Sequence, residues 1–123
     1  MNIDLLKHKT RTLAELNQLA LKTYQKVRET NVAGDFFQDV KPFADRVKAL
    51  CDEWLPLAVQ WVEETHPKHL HSIQLKNASE NIQMVSVRAY YPETSLKKFN
   101  SHIQSVDFVL NRLLEVLDQA EEL

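Results

Sequence analysis

Three of the five histidines of this chain fall within six residues, in the stretch HPKHLH at 66–71. Histidine at that density suggests either metal ligation or phosphotransfer. A carboxylate-bridged di-iron bundle needs two Glu-x-x-His pairs and two further inward glutamates. Glu63-x-x-His66 is the one such pair, and it sits where Pro67 must end a helix. No two histidines are four residues apart, so a helical His-x-x-x-His site does not form. A single cysteine, Cys51, rules out thiolate zinc sites. The sequence therefore predicts no metal site and implies no cofactor.

Phosphotransfer fares no better. A phosphotransfer histidine in a helical bundle stands exposed in mid-helix, with a lysine three residues on and then a glycine. HSIQLKN has Gln74 at the lysine place, Lys76 two positions late and no glycine. There is also no Gly-rich phosphate loop, nucleophile elbow or paired-carboxylate motif. The sequence predicts a protein that is not an enzyme.

Two surface features remain. Gln74, Asn77, Asn81, Met84 and Arg88 recur at steps of three and four, and His71 precedes them. An amide-rich edge of this kind serves either as a hydrogen-bonded structural network or as a shallow polar groove for a ligand. His71, Gln74, Asn77, Asn81 and Arg88 are thus the candidate binding residues. The second feature is WLPLAVQWV at 54–62, where Leu55, Val59 and Val62 fall outside the apolar seam. Deep burial by the other helices is the preferred account; if a partner covers this face instead, these three residues are the candidate interface.

The elements that must carry these residues are helices. One glycine, Gly34, in 123 residues leaves little for hairpins and bulges. Leu96, Phe99, Ile103, Val106, Leu110, Leu113, Leu117 and Ala120 alternate steps of three and four, the seam of a bundle helix. Phe36, Val40, Phe43, Val47, Leu50, Trp54, Leu57 and Trp61 repeat that spacing. Leu6, Leu13, Leu16, Ala20, Tyr24 and Val27 form a third stripe, and Leu75, Ala78, Ile82, Val85 and Ala89 a thinner fourth. The prediction is an all-α, up-and-down antiparallel four-helix bundle, with helices near 3–31, 36–65, 71–91 and 94–122, forming one domain over 1–123.

Prolines and polar residues mark the boundaries. Asp35 is a natural N-cap, with Gln38 three residues on as in a capping box. Pro42 fits a first helical turn, so residues 36–41 can form a separate short turn, and Pro56 should kink the second helix. Thr94 or Ser95 caps the last helix. In HPKHLH itself, Pro67 stops one helix, while His66, Lys68 and His69 lie near its negative end. His71 and Gln74 cap the next helix, and Leu70 and Leu75 form its hydrophobic staple.

Composition narrows the partners. The 15 Lys and Arg against 17 Asp and Glu give a net charge of −2, with no basic field for nucleic acid. No apolar run reaches the ~20 residues that cross a membrane, and MNIDLLKHKTRT is unlike a signal peptide. With one cysteine, the expectation is a cytoplasmic protein.

A resemblance adds to this reading. DFFQDVKP (35–42), then Leu50, Trp54, Ala58 and the Pro67–Lys68 pair, resembles the YppE-like family of small bacterial proteins. The likeness continues through His71, Gln74, Asn81, Tyr90, Lys97, Phe99, Ser105, Val106 and Leu110, over roughly residues 35–111. Leu96, where a more polar residue is expected, and YYPE, where Pro92 shortens the turn, depart from it. The resemblance implies an all-helical bundle of unknown function, and supplies no activity, cofactor or catalytic residue. The expected function is contact with an unknown protein partner or a second copy as a homodimer. The alternative is a small ligand or metal held on the polar edge of the third helix.

Overall fold

The computed structural model describes residues 2–122, so the two ends of the expected 1–123 domain lie outside the described residues. Four α-helices account for most of the chain: α1 Ile3–Thr30, α2 Lys41–Thr65, α3 Ser72–Arg88 and α4 Leu96–Glu122. A single π-helical turn, Phe36–Val40, leads into α2. α1 packs against α2 and α4, and α3 packs against α2 and α4, so the helices form a ring in chain order.

Polar contacts along α1 and α4 fix their direction. Lys7, near the start of α1, pairs with Asp118 and Glu121 near the end of α4 at 2.6 and 2.5 Å. Midway, the Asn17 amide donates to the Ile103 carbonyl and the Asp107 carboxylate at 3.1 and 2.9 Å. At the far end, the Tyr24 hydroxyl donates to the Thr94 carbonyl. That ladder requires antiparallel helices. Between α1 and α2, the buried Trp54 indole N–H donates to the Thr10 hydroxyl at 3.0 Å, which satisfies a donor that the core would otherwise strand.

The stripes read from α1, α3 and α4 face the core. Leu6, Leu13, Leu16, Ala20, Tyr24, Val27, Leu75, Ala78, Ile82, Val85, Ala89, Phe99, Ile103, Val106, Leu110, Leu113 and Leu117 are all buried. Leu96 is exposed, because α4 begins there rather than at residue 94. In α2 the centre of the stripe differs from the expected seam. Cys51 and Ala58 are buried at 1% and 0%, while Leu50 and Leu57 flank the core half-buried. Ser79 and Gln83 of α3 lie beside the Cys51 thiol, and the Gln83 amide donates to the Ser79 hydroxyl at 3.1 Å. Burial pushes that thiol up from its ordinary value.

The entrance to α2 has a definite cause. Asp35 is the cap, accepting from the Gln38 N–H at 2.8 Å. The reciprocal bond comes from Asp39, not Gln38: its carboxylate accepts from the Asp35 N–H at 2.8 Å. The wider π turn brings the fourth residue back to the cap instead of the third. Pro42 follows in the first turn of α2. α2 then runs unbroken through Pro56, which is exposed, so the carbonyl left without a donor can reach water.

Candidate functional site

The candidate binding residues do not form one site. His71 precedes α3 and Arg88 ends it, and a helix of that length separates them by about 25 Å. At the first end, Gln74 has a structural role. Its side-chain oxygen accepts from the His71 N–H at 2.7 Å, and its own N–H donates to the His71 carbonyl at 3.0 Å. His71 and Gln74 take up the capping-box arrangement, yet the imidazole makes no cap hydrogen bond, so the glutamine carries the cap. Leu70 and Leu75 are both buried, as a staple requires. Asn77 is exposed and Asn81 half-buried, and the side-chain bond described on this edge is that of Gln74; the Gln83–Ser79 bond lies on the opposite flank of α3.

The HPKHLH stretch is a tight connection. His66 caps α2 in a left-handed conformation, φ 49°, and His69 repeats that conformation at φ 60°. The Arg112 guanidinium on α4 donates to the Lys68 carbonyl at 2.7 Å and pairs with Glu115 at 3.0 Å, so the turn is tied to a third helix. Glu63 accepts from the Ser72 hydroxyl at 3.3 Å. Among the described residues, no group of three or more His, Cys, Asp or Glu is placed to hold a metal ion.

The candidate interface on α2 needs correction. Val62 is 4% exposed and belongs to the core. Leu55 and Val59 are half-buried and pack against that core. Their burial follows the preferred account, in which the rest of the bundle covers this side of α2, and leaves the partner face as the weaker alternative.

The exposed apolar surface lies elsewhere, at the corner between α1 and α2. Phe37 is 76% exposed, Val32 65% and Phe36 51%. The α2 spacing places Phe36 in the seam; the π turn leaves it exposed instead. The two rings meet edge to face, with centroids 5.1 Å apart. Their backbone is braced by the Asp35–Asp39 bonds and by the Gly34 N–H, which donates to the Tyr90 carbonyl at 2.9 Å. The Tyr90 ring in turn lies against Phe43 of the core, centroids 6.0 Å apart. Sequence reasoning missed this corner because Phe36 fits a four-residue step to Val40, and periodicity alone does not distinguish a π turn from the first turn of an α-helix.

A second feature was also missed. At the end of α3 and the start of α4, a cavity of about 220 Å³ is lined by Arg88, Lys98 and His102, with Val85 and Phe99 beneath. The spacing along α3 places Arg88 on the polar edge of that helix. Its companions sit on α4, where Lys98 and His102 are four residues apart and share a face.

Comparison with known proteins gives a consistent result. A family model described as a bacterial domain of unknown function, DUF1798, matches residues 10–117. The uncharacterized protein YppE of Bacillus subtilis strain 168 is 24% identical over 102 residues, covering 83% of each chain. A crystal structure of a protein of unknown function from Listeria innocua is 35% identical, covers 96% of this chain and 94% of its own, and superposes with a TM-score of 0.91. The crystal structure of YppE itself covers 100% of both chains at 21% identity, with a TM-score of 0.94.

Proposed function

This chain belongs to the DUF1798 family of bacterial domains of unknown function, and on that footing we propose that it is a non-catalytic binding protein whose aromatic corner docks into an apolar cleft of another protein. The observation that carries the reading is the solvent exposure of Phe37 beside Phe36 on a braced turn. An aromatic pair left in water gains nothing for the fold, whereas burying it against a partner gains on the order of 25 cal/mol per Å². A rigid mount lowers the ordering cost of binding, and aromatic anchors on such mounts carry much of the energy of protein interfaces.

Area separates a foreign partner from a second copy. At 51% and 76% exposure the two rings present about 250 Å². Two such corners facing each other would bury well under the ~1,200 Å² of a stable interface. A homodimer through this corner is therefore weak, and a cleft that envelops the rings is the better fit. The single cysteine, Cys51, agrees with a cytoplasmic setting.

The test is capture from the native cell with wild type, Phe37→Ser and Phe108→Ser, where Phe108 is an exposed ring on α4 at 65%. A discrete protein retained by wild type and Phe108→Ser but lost with Phe37→Ser supports the reading. Identical capture by all three sinks it. Light scattering over a concentration series reports the self-association alternative, which Phe37→Ser would abolish.

A further inference from the structure

The geometry points to a second binding site, independent of the aromatic corner: the cavity between the end of α3 and the start of α4 takes a small phosphorylated molecule. Three nitrogen-bearing side chains line it, Arg88 from α3 and Lys98 and His102 from α4. No carboxylate lines this cavity. Glu93, which is exposed, belongs to the adjoining outer groove that shares Arg88 and Ser95. The ion pairs found among the described residues involve Lys7, Lys9, Lys41, Lys48 and Arg112, so Arg88 and Lys98 are not neutralised by a protein acid.

The opening of α4 adds donors to the same place. Ser95 lines the cavity and caps the helix, its hydroxyl accepting from the Lys98 N–H at 3.3 Å. The first N–H groups of α4 have no intrahelical acceptor, and that end of the helix favours negative charge. A planar carboxylate would use only part of this set. Donors arriving from two helices suit a tetrahedral dianion with three free oxygens, and Arg88 can bind it through two N–H groups.

The site is built before any ligand arrives. Thr94 is held three ways: its N–H donates to the Tyr91 carbonyl at 3.1 Å, its hydroxyl to the Arg88 carbonyl at 2.9 Å, and its carbonyl accepts from Tyr24. The Tyr24 ring also packs on Phe99, centroids 4.1 Å apart. Buried Val85 and Phe99 form an apolar floor, suited to a short carbon portion beneath the phosphate. The volume, about 220 Å³, equals the share of about seven water molecules, room for a phosphate with a short carbon portion.

The experiment is a titration of the uniformly ¹⁵N-labelled full chain with inorganic phosphate and with glycerol 3-phosphate. Sodium chloride and sodium acetate at matched ionic strength are the controls. Saturable shifts of the Leu96, Lys97 and Lys98 amides are expected, tighter for glycerol 3-phosphate, and weakened at least tenfold by Arg88→Ala or Lys98→Ala. Lys97→Ala, which removes an exposed lysine outside the cavity lining, should leave them unchanged. Arg88 and Lys98 are exposed, so dispersed spectra of both variants verify folding directly. Shifts that do not saturate, that chloride or acetate reproduces, or that survive both substitutions would overturn the site. Equal affinity for the two phosphates would overturn its organic portion. None of these outcomes depends on Phe37, so this site and the aromatic corner can fail separately.

Discussion

A Cβ built on Gly34 would lie 2.6 Å from Cδ1 of Tyr90, and the Gly34 N–H already donates to the Tyr90 carbonyl. The glycine is required by close approach, because no glycine in the chain has positive φ. Gly34→Ala must move either the ring or the backbone, and overpacking of this kind costs about 1–3 kcal/mol; thermal melting measures it. At the helix cap the sequence named the residues that take part, His71 and Gln74. Gln74 makes the bond, so Gln74→Ala should cost about 1 kcal/mol and His71→Ala distinctly less. His66 holds φ 49° with a Cβ, so His66→Gly should raise the melting temperature, with a gain of about 0.5–1 kcal/mol.

Packing between elements depends on a few polar pairs as much as on the stripes. Thr10 and Trp54 join α1 to α2 with both groups at 0% exposure. Thr10→Val keeps the shape but strands the indole N–H, and should cost about 1–3 kcal/mol by denaturant unfolding. Trp54→Phe in the Thr10→Val background should lose less than the sum of the two single changes, since no donor remains to strand. The helices themselves were legible because large apolar residues at steps of three and four leave few alternatives, and Pro42, Pro67 and Asp35 mark real boundaries. The α2 register was less legible. Its centre is built from Cys51 and Ala58, whose small side chains carry a weak hydrophobic signal but allow Ser79 of α3 to approach. The separate turn at 36–41 was legible from Pro42, but its π form was not: the wider turn leaves Phe36 exposed without altering composition. Arg88 was identified as a single residue of a later cluster, because its companions Lys98 and His102 lie on another helix and only folding brings them together.

Across the whole molecule, the two ends of the bundle differ. One end gathers the HPKHLH turn and the Lys7 ion cluster. The other gathers the aromatic corner and the cationic cavity, with Tyr90 beside the corner and Tyr91 beside the outer groove. The ion cluster makes a pH prediction. Hydrogen bonds from Lys7 hold the carboxyls of Asp118 and Glu121 below their ordinary range. Their stabilisation is present above the unfolded values and is lost as pH falls through the lowered ones. Asp4, hydrogen-bonded to Glu121, is pushed up; it takes a proton more readily when folded and offsets part of that loss. Lys7→Met should therefore flatten the fall in melting temperature below about pH 4, relative to wild type.

The central claim is that the end bearing Phe37 is a docking end, and photo-crosslinking in the native cell tests it most directly. A benzophenone amino acid placed at Phe37 should yield one discrete adduct, and the same group at Phe108 should yield none. Equal adducts from both positions, or none from Phe37, would contradict the account.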